Sequence, residues 1–307
     1  MGREGSRTSE LDPVVERFNL SVFRVLFFLV VFITMASDDY FLRWIEVPKA
    51  FWFPRSLNLF LGAPPSADLI EALFHLWRWT TVLCMFGFFY RFVAPIWWVS
   101  CLIVTLHGHS FGYQGHVFMP VVLAGLPMAF ARASESFSFD SWWRNKTGKP
   151  QAKDSAFADR MALRTVQLIL VLAYFAAGVA KLRYGGIDWL TTDTLRNYLF
   201  RSSIVYADTN ALAHLFALND LFIRFPTLCK ALAVFAVGVE FFAPLAFLRR
   251  RLAYLLVPLI VGLQIGIFFT IYVRFTPYFA ILGAWINWHW LWTFTLSVRE
   301  QRSRRAV

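Results

Sequence analysis

The chain contains a series of apolar runs that are too long and too numerous for the core of a water-soluble domain. Of its 307 residues, 58% are hydrophobic and 16% are charged, and the mean hydropathy is +0.53. A helix needs roughly 20 apolar residues to cross a bilayer. The candidate spans lie near residues 19–37, 69–90, 93–109, 115–131, 160–182, 228–248, 252–273 and 276–296. This pattern predicts an all-α, polytopic transmembrane helical bundle with about eight spans. Seven or nine spans stay open, because the third and fourth runs are short and the last is interrupted by polar groups.

The net charge of +11 is distributed in a way that indicates membrane orientation. Most basic residues fall in alternate segments between the apolar runs, which is the positive-inside pattern. They are Arg3, Arg7, Arg17, Arg132, Arg144, Lys146, Lys149, Lys153, Arg160, Arg249, Arg250, Arg251, Arg299, Arg302, Arg304 and Arg305. We therefore predict a multi-pass protein of the cell membrane with both termini in the cytoplasm. Lipid is the expected partner, and nucleic acid is not.

The same pattern divides the chain into one membrane domain with short tails. The predicted parts are a cytoplasmic tail over 1–18, the transmembrane domain over 19–297 and a basic cytoplasmic tail over 298–307. Within the domain, 132–159 is a predicted cytoplasmic loop that carries an interfacial pair of tryptophans, Trp142 and Trp143, and 183–226 is a long outer loop. In that outer loop, Thr192 or Asp193 is suited to cap a short helix. The apolar residues Leu195, Tyr198 and Leu199 would share one face of this helix. Such a helix would lie along the interface and roof a cavity.

Lys181 ends an apolar run, "VLAYFAAGVAK", and two interpretations of it stay open. It is an anchor that extends its amine to the outer headgroups, or a base that works in a membrane pocket. On a helix, Tyr174, Gly178 and Lys181 are spaced by four and three residues and share one face. A lysine that accepts a proton must be neutral, and burial disfavours the charged form of an amine.

Other polar residues lie inside predicted spans, where each is costly unless it is paired or hydrated. Glu240 lies deep in "AVFAVGVEFFAPLAF" and must be protonated, face water, or pair with a cation such as Lys181 or Arg78. His75 and Arg78 share a face near the outer end of the second span. Gln264, in "VGLQIGIFF", is able to bond to another helix or to a ligand.

Three histidines, His107, His109 and His116, follow one another in "LHGHSFGYQGHVF". No cysteine or glutamate completes a recognised ligand spacing around them. We therefore predict no metal site.

The run "YFAAGVAKL" followed by "IDWL" resembles the signature of the vitamin K-dependent gamma-carboxylase-like family, whose shared membrane region is the horizontally transferred transmembrane (HTTM) domain. The most specific part is the Tyr-Phe-x-x-Gly-x-x-Lys spacing. Further segments fit the family in order: "FRVLFFLVVF", "GFFYRF", "GHVFMPVVL", "SFDSWW" and "GVEFFAPLAFLRRR". The resemblance extends from about residue 18 to residue 290.

The resemblance implies a lyase that uses a reduced quinone. In the family's animal enzyme, a lysine of this motif deprotonates reduced vitamin K at the lumenal face, and the oxygenated product drives carboxylation of a glutamate. The motif places Lys181 on that lysine. The element around His116 is similar to the family's Asn-His-x-aromatic element, with Gly115 in place of the asparagine. Reduced vitamin K or menaquinone is then the expected cofactor, and Trp189 joins Tyr174, Gly178, Glu240, Gln264, His75 and Arg78 as the expected pocket.

Two functions remain open at this point. The first is a quinol-oxidising enzyme of epoxidase or carboxylase type, with Lys181 as base and His116 assisting. The second is a non-catalytic membrane protein that binds quinone or lipid, or acts in the maturation or export of a secreted peptide. We expect a short member of the family, without the lumenal domain that docks protein substrates. A secreted peptide or a separate docking chain is then a candidate partner. A neutral Lys181 that lines a closed pocket of the size of the isoprenoid tail favours the enzyme. A charged Lys181 paired with Glu240, together with a water-filled path through the bundle, favours the second function.

Overall fold

The computed structural model describes residues 12–36, 39–112, 118–150, 156–206, 217–271 and 276–305. All regular structure in these residues is helical, which confirms the all-α prediction. The α-helices are α1 (Pro13–Ala36), α2 (Ala67–Phe86), α3 (Tyr90–His109), α4 (Met119–Phe130), α5 (Phe139–Lys146), α6 (Ala156–Gly185), α7 (Asp188–Thr191), α8 (Thr194–Tyr206), α9 (Ala217–Arg224), α10 (Pro226–Phe242), α11 (Pro244–Leu248), α12 (Arg250–Ile271), α13 (Thr276–Leu282) and α14 (Trp288–Arg305). Short 3-10 helices cover Asp39–Ile45, Lys49–Phe51, Ser56–Phe60 and Gly283–Trp285.

Among the described residues, 5 helical segments are long and apolar enough to cross a membrane. They are Pro13–Ala36, Tyr90–His109, Ala156–Gly185, Pro226–Leu248 and Arg250–Ile271. The other three predicted spans are helical but do not meet this criterion. Helix α2 carries Glu71, His75 and Arg78, and α4 is short. The last predicted span is divided between α13 and α14. The protein is a membrane-type helical bundle, while the number of about eight spans and the cytoplasmic termini stay predictions.

The chain groups into two compact units. The first unit comprises residues 1–166 and 283–307, and the second unit comprises residues 167–282. The first unit has an aromatic core between α1, α2 and α3, in which the Phe28 ring meets Trp97 edge-on at 4.9 Å between centroids. The indole of Trp97 donates to Thr81 Oγ1 at 2.8 Å, so the only polar atom of this buried ring is satisfied.

The predicted loop over 132–159 contains a helix, α5, that is fixed to the start of α3. Ser138 caps α5 by accepting from the backbone N–H of Ser141 at 2.9 Å. The Asp140 carboxylate accepts from the backbone N–H groups of Phe89 and Tyr90 at 2.8 and 2.9 Å. These amides begin α3 and have no partner within that helix, so Asp140 joins the two helices.

The second unit holds the helices of the predicted outer loop. The predicted loop over 183–226 begins in the last turn of α6, holds α7, α8 and α9 in its described residues, and ends where α10 begins. The short helix predicted from Thr192 or Asp193 is present as α8. The backbone N–H of Asn197 donates to the Asp193 carbonyl at 2.8 Å, which opens the first turn. Leu199 faces the interior, whereas Tyr198 on the neighbouring position is exposed.

Candidate functional site

Lys181 and Glu240 form an ion pair within the second unit. Nζ of Lys181, at the end of α6, lies 2.5 Å from Oε1 and 2.6 Å from Oε2 of Glu240 on α10. The Glu240 side chain is 5% exposed and that of Lys181 is 24% exposed. Of the partners considered for Glu240, the structure therefore selects Lys181. The ion pair offsets the desolvation cost of placing a carboxylate inside an apolar helix, because the ammonium compensates its charge.

Gly178 explains how α6 and α10 come close enough for this contact. A Cβ at this position would lie 3.1 Å from the backbone nitrogen of Phe241 and 3.2 Å from Cβ of Glu240. A residue with a side chain is therefore crowded by backbone as well as by Glu240. Since Gly178 is three residues before Lys181, the small residue and the amine face the same neighbour.

Trp189 lies next to the pair because the chain turns sharply after α6. Gly186 has a φ of +58°, a left-handed conformation that glycine adopts without strain, and its N–H closes α6 on the Leu182 carbonyl at 3.0 Å. The turn leads into α7, where the ring centroid of Trp189 lies 5.8 Å from Nζ of Lys181. This distance is within the range of cation–π attraction, so the ring adds a second partner for the ammonium.

An open depression adjoins the amine. Its volume is about 440 Å³, which falls in the range of about 300–1,000 Å³ found for small-molecule sites. The residues that line it include Lys181, Tyr184, Trp189, Thr194 and Tyr198. Helix α8 thus borders the depression, but it does not roof a closed pocket.

Tyr174 and Gln264 form a second buried polar contact in the same unit. Nε2 of Gln264 on α12 donates to the Tyr174 hydroxyl, and the rings of Tyr174 and Tyr278 meet at 5.7 Å between centroids. All three side chains are buried. Tyr174 is seven residues from Lys181, about 10 Å along α6. This cluster therefore joins α6 to α12 at a different depth from the ion pair.

Two of the predicted site residues lie in the first unit rather than in the second. His75 and Arg78 belong to the first unit and are exposed on α2, where Nε2 of His75 lies 3.8 Å from Oε1 of Glu71. His116 falls outside the described residues. In the part of the chain that is described, no group of three histidine, cysteine, aspartate or glutamate side chains is arranged to hold a metal ion.

Sequence reasoning did not assign Tyr184, Tyr198 or Tyr278 to the site. The sequence placed Tyr198 on one face of a short helix but not beside Trp189. The rings of Tyr198 and Trp189 lie 5.7 Å apart between centroids, and this contact depends on the turn at Gly186. Tyr278 comes from a segment more than 100 residues from Tyr174 in sequence. Helical spacing relates residues within one helix, so it gave no signal for these contacts.

Comparison with known proteins identifies the family. The sequence matches the HTTM domain over residues 14–292. No curated protein and no solved structure matches the chain significantly. The match runs through α1, through the helix that carries Lys181 and through α10 with Glu240. Because the match covers nearly the whole sequence, the chain belongs to the HTTM domain family.

Proposed function

We propose that this membrane protein binds a lipid-soluble weak acid, a reduced isoprenoid quinone such as reduced vitamin K or menaquinone, beside Lys181. We further propose that the Lys181–Glu240 pair accepts its proton. The observation that carries the proposal is the contact of the Lys181 amine with both oxygens of a buried carboxylate, at the edge of an open depression.

The ion pair makes Glu240 part of the base. An ammonium cannot accept a proton, so Lys181 must first pass one to Glu240, whose oxygens lie within hydrogen-bond distance of Nζ. The neutral amine then takes the proton from the quinol hydroxyl. The products are a quinolate anion, the Lys181 ammonium and a neutral Glu240 carboxyl. One negative charge moves from Glu240 to the quinolate, so the ammonium keeps a counterion and no isolated charge is created in a low-dielectric site.

The lining of the depression suits an aromatic ring. The indole of Trp189 and the phenols of Tyr184 and Tyr198 provide flat apolar surface beside the amine. An isoprenoid tail partitions into lipid, and an open depression leaves a path for it. We retain His116 as a predicted assistant in this chemistry.

A second candidate is binding without turnover, and two observations favour it. Lys181 is paired with Glu240, which is one of the two features expected of a non-catalytic protein. The depression is also open, whereas an enzyme that protects a reactive intermediate excludes water. In this case the protein is a quinone or lipid binder, or a partner in maturation or export of a secreted peptide.

Turnover with a defined quinol separates the two candidates. Purified protein is supplied with reduced menaquinone or reduced vitamin K and oxygen, and quinone and epoxide are quantified, while bound quinol is measured by native mass spectrometry. We expect Lys181→Ala to lower the rate of product formation by roughly 100-fold or more, as the loss of a general base does. Lys230→Ala, which removes a lysine elsewhere on α10, is the control and should keep the wild-type rate.

Product formed at equal rates by wild type and Lys181→Ala, for every quinol tested, would remove the catalytic proposal. Quinol that binds to wild type without product, and binds more weakly to Lys181→Ala, would establish the second candidate.

A further inference from the structure

Helix α5 exposes two indoles close to a lysine. Phe139, Trp142, Trp143 and Lys146 are spaced by three and four residues and share one side of the helix. Trp142 is 51% exposed and Trp143 is 48% exposed, although indole is among the largest apolar groups. Nζ of Lys146 lies 5.1 Å from the Trp142 ring centroid. We name Trp142, Trp143, Lys146 and Lys149 the α5 platform.

The platform is held at the level of a membrane boundary. Asp140 of α5 caps the first turn of α3, which is one of the segments able to cross a bilayer. The Phe139 ring also stacks on Phe88, in the turn before α3, at 4.2 Å between centroids. The end of a spanning helix lies in the headgroup region, so a helix fixed to that end by two hydrogen bonds and a stacked pair lies there too.

The charge of the platform is positive because its acidic neighbours are already engaged. Asp140 binds two backbone amides, and Glu135 pairs with Arg144 at 2.9 Å. Lys146 and Lys149 are exposed and form no ion pair with any residue that the structure describes. Lys146 lies beside the Trp142 ring, and Lys149 follows three residues later, just beyond the end of α5. Cations close to exposed indoles match a lipid that offers a phosphate above its glycerol and acyl groups.

We propose that the α5 platform is a binding site for anionic phospholipid. Lys146 and Lys149 contact the headgroup phosphate, and Trp142 and Trp143 lie at the boundary between headgroups and acyl chains. The attachment of α5 to α3 keeps the platform in the headgroup layer, and the exposed indoles suit that layer. Both features favour lipid over nucleic acid as the ligand. The inference is independent of the quinol site, which belongs to the second unit.

The test compares lipids that differ in headgroup charge. Purified full-length protein in detergent is titrated with phosphatidylglycerol or phosphatidylcholine, and bound lipid is counted by native mass spectrometry. We expect preferential binding of phosphatidylglycerol and a roughly tenfold or greater loss of affinity in the double variant Lys146→Gln/Lys149→Gln, given the usual contribution of each cation near a lipid surface. The Lys146→Arg/Lys149→Arg variant should retain the affinity, and Trp142→Ala/Trp143→Ala should weaken binding of both lipids.

The matched control is Lys49→Gln/Arg55→Gln, which removes the same charge from exposed positions outside α5. Its affinity for phosphatidylglycerol should remain within about twofold of wild type, since long-range effects of net charge are screened. Thermal unfolding of each variant confirms that it is folded. Equal binding of the two lipids by wild type, or an equal loss in the control and the platform variants, would overturn the proposal.

Discussion

Glu240→Leu is expected to lower the free energy of unfolding by about 3 kcal/mol, the lower end of the range for breaking a buried ion pair. The substitution removes the Glu240 carboxylate, whose oxygens lie 2.5 and 2.6 Å from Nζ of Lys181. The Lys181 ammonium is then left without a counterion between apolar helices. The Lys181 side chain is 24% exposed, so it keeps part of its hydration and the cost stays at that lower end. Denaturant unfolding in mixed micelles measures the loss.

The double variant Lys181→Met/Glu240→Leu is the control for this prediction. Replacing both members of a buried pair by apolar residues is often neutral or stabilising, so the double variant should recover most of the lost stability. The comparison measures the coupling between the two side chains directly. A double variant as unstable as Glu240→Leu would show that Glu240 stabilises the second unit through other contacts.

Gly178→Leu is expected to destabilise the second unit by about 2–3 kcal/mol, the cost of overpacking a site where the neighbour cannot yield. The new Cβ would meet the backbone nitrogen of Phe241 at 3.1 Å, and moving that atom means moving α10. Separation of α6 from α10 also lengthens the Lys181–Glu240 contact. The variant should therefore lose stability and proton acceptance together. Unfolding and quinol turnover measure the two effects.

Gly238→Leu provides a matched control on α10. A Cβ at Gly238 has no neighbouring atom within 4 Å, so the added side chain meets open space. We expect a change of no more than about 0.5 kcal/mol, as for substitutions away from packed contacts. Similar losses from the two glycine substitutions would mean that helix flexibility, rather than the close approach at Gly178, determines the effect.

The sequence was sufficient for the face of α6 that carries the site. Tyr174, Gly178 and Lys181 are related by helical spacing alone, and the structure directs Gly178 and Lys181 towards Glu240. The requirement that Glu240 have a partner also followed from its position inside an apolar run. Helical spacing determines which residues of one helix share a face, and hydropathy along one helix determines whether a charge needs a partner.

The identity of that partner did not follow from the sequence. Lys181 and Arg78 were equal candidates for Glu240, because each is a cation near the end of an apolar run. Lys181 is 59 residues from Glu240, and the choice depends on helix packing that Gly178 permits. The exposure of His75 and Arg78 on α2 likewise depends on the packing of the first unit, which the helical period does not define.

The membrane-type helical fold was predictable because long apolar runs leave few alternatives, since backbone groups in lipid must be satisfied within a helix. The number of spans was harder to derive. Helix α2 combines an apolar face with Glu71 and Arg78, and the last predicted span is divided between α13 and α14. Hydropathy averaged along the chain does not detect charged residues on one side of a helix or an interruption between two short helices.

Proton transfer from a bound quinol to the Lys181–Glu240 pair should leave Lys181 as the ammonium and Glu240 as a neutral carboxyl group. Infrared difference spectroscopy on addition of reduced menaquinone reports the protonation of carboxyl groups directly. We expect quinol binding to produce the carbonyl band of a neutral carboxyl group in wild type, and we expect this band to be missing in Glu240→Gln. Bound quinol without that band in wild type, or the same band in Glu240→Gln, would contradict this proton transfer.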